Sequence, residues 1–173
     1  PILARRVDLD GASAVRTFNP AEFILPGHYE LSIQTGPRHY AQSLRMTFGA
    51  TPVTREDGWL SLDLANQVRL TIALSETPAS ISGQVTVSRK PVAGAMVYLE
   101  HFNPDAREQH LQFFTTRSDQ NGRYSFQGLA PGRYRLLSSF DFDPKDPNGM
   151  RNAVTLSVKE GEPGQADLEM QLN

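Results

Sequence analysis

The sequence contains no cysteine and a single tryptophan. A disulfide framework and a thiolate metal site are therefore excluded. Long apolar runs are also missing. The longest, Ala95 to Leu99, has five residues, against about 20 for a membrane helix, so no membrane span is read. Neither sign of charge dominates: the net charge is −2, with no basic excess to hold nucleic acid or an anionic membrane surface. Helix signals are scarce. The one candidate is Asp105 to His110, where Asp105 and Glu108 have capping-box spacing and predict a single turn. There is no Gly-rich phosphate loop, nucleophile elbow or metalloprotease helix motif. No catalytic residue and no cofactor site is read. The chain opens on Pro1 with no initiator Met and no charged-then-apolar leader, which reads as a processed or excised piece of something longer.

What is present is strand. The 173 residues are 39% hydrophobic and 21% charged, ordinary for a globular chain of one large domain or two small ones. Period-two segments recur between Gly, Pro, Asn and Asp. In Ile81 to Val87 the odd positions face a core. A turn over Arg89 to Gly94 leads to a strand from Ala95 to Phe102, then a polar insert, Asn103 to His110. Further strands are expected over Leu111 to Thr116, Arg123 to Gln127, Tyr134 to Ser139, Asn152 to Val158 and Ala166 to Leu172. Asp119-Gln120-Asn121-Gly122 carries tight-turn chemistry. The inward set is Val85, Val97, Leu99, Tyr124, Phe126, Leu136, Leu156, Leu168 and Met170. Seven short strands in this length fit an immunoglobulin-like sandwich.

The chain also repeats itself. Leu25-Pro26-Gly27-His28-Tyr29-Glu30-Leu31 matches Ala130-Pro131-Gly132-Arg133-Tyr134-Arg135-Leu136, and Leu70 to Leu74 echoes Leu168 to Leu172. The expected architecture is all-β, with two tandem immunoglobulin-like or prealbumin-like sandwich modules at 1–77 and 78–173, joined near Glu76-Thr77-Pro78. The copies are unequal. Ala79 lies 52 positions before Pro131, whereas Pro1 lies only 25 before Pro26. The first module thus reads as degenerate or incomplete, short of its opening strands, which exposes sheet edges and an open core. Three arrangements answer that: the strands lie upstream, Ile2 to Asp8 serve as an early strand, or a strand from another chain fills the gap. The last would make the chain a filament subunit, with Ile2 to Val7 the exchanged segment.

From Ile81 onward the sequence resembles the carboxypeptidase regulatory-like domain family. The resemblance rests on Gly83-Gln84-Val85, Pro91-Val92-Ala93-Gly94-Ala95-Met96-Val97, Ser118-Asp119-Gln120-Asn121-Gly122-Arg123-Tyr124-Ser125-Phe126 and Leu129-Ala130-Pro131-Gly132-Arg133-Tyr134. It implies a prealbumin-like or immunoglobulin-like sandwich without catalysis of its own, an accessory to peptidases, outer-membrane transporters and adhesins in secreted bacterial proteins. It places the chain outside the cell or at its surface, with the periplasm as the alternative. Its partners are then protein chains or neighbouring domains, and its role is spacer, scaffold or adhesion part; accessory modules beside an absent peptidase are the rival reading. Related collagen-adhesin B-type modules carry a Lys–Asn isopeptide bond that uses a Glu four residues after the turn Tyr. Ser138 and Ile33 stand there in this chain, so no such bond is expected. Without any family, Pro-Gly-x-Tyr is a sharp turn that aims a Tyr hydroxyl back at backbone, as in a tyrosine corner.

Three groupings have the residue types of a site. Asp141, Asp143 and Asp146 concentrate carboxylates suited to calcium, but the spacing is not that of an EF-hand and Lys145 sits in the middle, so a solvated, Pro-stiffened loop is expected and no metal. His101, Glu108 and His110 cluster in the insert without the further ligand a zinc site needs. Trp59, Tyr40 and Phe48 have the makings of a sugar-stacking platform, although core packing is the commoner fate of such rings. His28 and His39 read as isolated and solvent-facing.

Overall fold

The computed structural model describes residues 2–6, 16–18, 26–48, 51–55, 59–64, 69–102, 113–143, 146 and 148–171. All regular structure among them is β. The chain divides into two compact units, Pro1–Thr77 and Pro78–Asn173.

Unit one holds β1 (Ile2–Arg6), β2 (Arg16–Phe18), β3 (Gly27–Ile33), β4 (Tyr40–Phe48), β5 (Thr51–Arg55), β6 (Trp59–Leu64) and β7 (Arg69–Ser75). They form two sheets, ordered β2-β1-β3-β6 and β5-β4-β7, with every ladder antiparallel. Ala4 and Leu31 from the first sheet meet Leu44 from the second, with Tyr29, Ile33, Leu70 and Ile72 packed around them.

Unit two holds β8 (Ala79–Val87), β9 (Lys90–Pro91), β10 (Met96–His101), β11 (Phe113–Arg117), β12 (Arg123–Leu129), β13 (Gly132–Ser138), β14 (Val154–Val158), β15 (Pro163–Gln165) and β16 (Leu168–Glu169). One sheet runs β11-β10-β13-β14. The other runs β12-β8-β15, with β9 and β16 also on β8. Side chains from both faces close on one core. Val85, Val97, Leu99, Tyr124, Phe126, Leu136, Leu168 and Met170 are buried as the alternation predicts; Leu156 is only half-buried but packs on the same cluster.

Two local expectations need correction. The turn after β8 is made by Ser88 and Arg89, both at positive φ (51° and 66°), and Lys90–Pro91 already returns as β9. The final strand is two short pieces, β15 and β16, separated at Ala166 and Asp167. The helical turn expected over 105–110 lies outside the described residues.

The four-stranded sheets of the two units share one order. In each, the Pro-Gly-x-Tyr strand, β3 or β13, lies between an earlier strand and a later one. The registers correspond: Arg6↔Tyr29, Arg5↔Glu30 and Ala4↔Leu31 in unit one, and His101↔Tyr134, Glu100↔Arg135 and Leu99↔Leu136 in unit two. The charges are reversed between the two, Arg opposite Glu in one and Glu opposite Arg in the other. The second sheets differ. Unit two is built on β8, which precedes its sheet-one strands. In unit one the central place belongs to β4, which comes after β1, β2 and β3 and before β6, and buries Leu44 completely.

In unit one the described core residues of the second sheet come from β4 (Leu44) and β7 (Leu70 and Ile72). The N-terminal segment, one candidate for exchange, pairs here within its own chain. Ile2–Arg6 is paired along its whole length with β3, and β2 flanks it. It pairs with β3 as β10 pairs with β13.

Candidate functional site

The motif residues that carry the family resemblance act within the fold. Asp119 Oδ1 accepts hydrogen bonds from the backbone N–H groups of Asn121 and Arg123, each at 2.8 Å, and Gly122 takes φ +73° beside Val85 O. This is Asx-turn chemistry. Ser118 Oγ donates to Val92 O (2.6 Å) and accepts from Ala95 N (2.9 Å), tying the turn before β10 to β11. The Tyr134 hydroxyl donates to Ala130 O at 2.7 Å, the corner that the Pro-Gly-x-Tyr spacing predicts. His101 lies edge-on to Tyr134, 5.0 Å between centroids, against Gly132, where a Cβ would sit 2.5 Å from its Nε2.

The densest polar arrangement is the seam between β8 and the last strands. Pairing there is parallel: Pro163↔Ser80, Gly164↔Ile81 and Gln165↔Ser82, then Leu168↔Val85 and Glu169↔Thr86. Between the two pieces Ala166 O comes so near Gly83 that a Cβ on residue 83 would stand 1.7 Å from it. The same carbonyl accepts the hydroxyl of Tyr124. Burial, reinforced by the Asp167 carboxylate, pushes that phenol above its ordinary range. Asp167 Oδ1 accepts from Gln84 N (2.9 Å). Glu169 accepts from Thr86 Oγ1 (2.8 Å) and from Ser88 N (2.7 Å) at the tight turn. Those two bonds, Thr86 first, hold the Glu169 carboxyl below its usual value. None of this was visible in the sequence, because the partners come from opposite ends of unit two.

The groupings singled out from residue types fare differently. Asp141, Asp143 and Asp146 are all exposed. Asp146 Oδ1 accepts from Asn148 N at 2.9 Å, and Asp146 N donates to Asp143 O at 3.1 Å, so turn bonding engages this loop. Among the described residues no three His, Cys, Asp or Glu gather as for a metal. Glu108 and His110 lie outside the described residues. Tyr40 is buried at 3% exposure and has no face for a sugar; the side chains of Trp59 and Phe48 lie outside the description. Ser138 is buried and donates to Met96 O at 2.9 Å, while Ile33 packs on the unit-one core. His39 is 3.9 Å from the exposed Glu76.

Two features were not anticipated. Glu100 is buried on the outer face of its sheet and accepts from Arg135 Nε at 2.7 Å, with the guanidinium over the Phe102 ring 4.5 Å from its centroid. A groove of about 330 Å³ in unit one is lined by Ile2, Ile33, Ile72 and Leu74 with Thr35 and His39.

No helix among the described residues is long and apolar enough to cross a membrane. No curated protein matches the chain. Among solved structures it is similar to the major pilin subunit of Bacillus cereus (12% identity, TM-score 0.40, 90% of this chain and 41% of that one). It is similar also to the TIE protein of Bacillus anthracis (9%, 0.39, 98% and 47%) and to the minor pilin of Streptococcus agalactiae (13%, 0.35, 97% and 80%). The chain spans less than half the length of the first two. The carboxypeptidase regulatory-like domain profile, by contrast, matches residues 80–171, more than half of the sequence and all the strands of unit two. The chain belongs to the carboxypeptidase regulatory-like domain family.

Proposed function

We propose that this chain is a non-catalytic structural or binding part of an extracellular or cell-surface protein, and that unit one is a second, divergent copy of the module in unit two. The observation that carries the first half is the internal use of the family motif. Asp119, Ser118, Tyr134 and Gly122 serve turns, a corner and close backbone approaches, so the residues that define the family are accounted for by folding. The shared sheet order and register of β1–β3 and β10–β13 support the second half. The second reading is a filament subunit that grows by exchange of Ile2 to Val7; within this chain Ile2–Arg6 pairs with β2 and β3.

The test has two arms. Pure chain is incubated with peptide and glycoside substrates; no turnover above buffer is expected, and saturable turnover lost on unfolding refutes the reading. The full-length parent is then probed on intact cells with antibody and added protease. Accessibility is expected, and protection until lysis would contradict a surface location.

A further inference from the structure

We propose that unit two is a tension-bearing element, in which force along the chain loads the seam between β8 and β15–β16 in shear. This deepens the structural reading above and rests on it. β8 is the first strand of unit two and β16 its last, and the two run parallel. Force on the chain therefore pulls β8 by its Ala79 end and β16 by its far end. In a parallel pair those ends lie at opposite extremes of the ladder. The strands are then dragged along each other, and the bonds between them share the load instead of opening one at a time.

The seam is built for that direction. Backbone bonds recur along it: Ser80 N to Glu162 O (3.3 Å), Ala166 N to Ser82 O (2.9 Å) and Met170 N to Thr86 O (2.8 Å). Where the ladder is interrupted at Ala166 and Asp167, side chains take over. Asp167 Oδ1 accepts Gln84 N, Tyr124 holds Ala166 O from a third strand, and Glu169 grips Thr86 and the turn at Ser88. Charge-assisted bonds of this kind are stronger than neutral ones. Beyond them Gln171 N donates to Ser138 O at 2.9 Å, so the chain end is also fixed to β13. Ala166 O lies where a Cβ on Gly83 would be, so the two strands approach most closely at that point. Unit one lacks the arrangement. Its first and last described strands, β1 and β7, lie in different sheets.

Single-molecule pulling on the full chain tests this. The native sequence has no cysteine, so handles attach where cysteine is introduced. Thr77→Cys with a C-terminal handle pulls the seam in shear; Thr77→Cys with Glu162→Cys pulls the same two strands apart from one end. The unfolding event is assigned to unit two by the length it releases, roughly 3.5 Å per residue. The shear geometry is expected to need severalfold more force. Equal forces in the two geometries overturn the proposal. Asp167→Ala and Glu169→Gln should lower the shear force and leave the unzipping force unchanged, whereas Tyr134→Phe, away from the seam, should lower equilibrium stability and leave the shear force unchanged. Forces that simply follow equilibrium stability across these variants overturn it as well. Catalytic activity, or a location inside the cell, would leave these forces unaltered, so the two readings fail separately.

Discussion

Gly83 faces a carbonyl at a distance that admits no side chain, with Ala166 O 1.7 Å from where its Cβ would be. Gly83→Ala has to push β16 off β8 and disturb the Tyr124 bond to the same oxygen. We expect a loss of about 3 kcal/mol of unfolding free energy, read from urea titration of the full chain. Tyr134→Phe is milder. It removes one hydroxyl bond and strips Ala130 O of that donor, so a loss of about 1.5 kcal/mol is expected in the same titration. The two residues also mark how far the sequence could be read. The Tyr134 corner follows from local spacing, because donor and acceptor are four residues apart. Gly83 is equally prominent in its motif, but its reason lies across the unit in Ala166, and nothing local points there. Glu100 was hidden in the same way: alternation sends it outward, and its burial comes from Arg135 on the neighbouring strand and the Phe102 ring over that guanidinium.

Strand existence was legible at the element scale because inward positions alternate over Ile81 to Val87, Met96 to His101 and Arg123 to Phe126. Turns were legible only where Gly or Asn announces them. Ser88–Arg89 adopts two positive-φ conformations without either residue, in the two-residue connection of the β8–β9 hairpin. That geometry prefers Asn-Gly. The double substitution Ser88→Asn, Arg89→Gly should stabilise unit two by about 0.5–1 kcal/mol, visible as a higher urea midpoint with unchanged slope. The same turn is braced by Glu169, and this makes the seam sensitive to pH. Its carboxyl titrates below the ordinary 4.5 in the folded chain. The stabilisation is therefore complete above that ordinary value and is lost as pH falls through the lowered folded-state value. Urea midpoints of wild type and Glu169→Gln should differ at neutral pH and converge in acid. A gap that stays constant with pH would contradict the role given to Glu169.

At the scale of the whole molecule, the two Pro-Gly-x-Tyr segments fall on β3 and β13, each between an earlier and a later strand of a four-stranded sheet. The repeat does not reveal that among the described residues the centre of unit one's second sheet is β4. A count of residues before Pro26 says nothing of β4 and β7, which supply Leu44, Leu70 and Ile72 from later in the chain. Unit two has a complete core of its own and the entire family match, and its motif residues serve its own turns and seam. We propose that unit two is a self-standing structural module. Urea unfolding of residues 78–173 expressed alone tests it most directly. One cooperative transition is predicted, with the free energy that unit two shows in the full chain; a fragment that is unfolded, or that loses cooperativity, without residues 1–77 would contradict it.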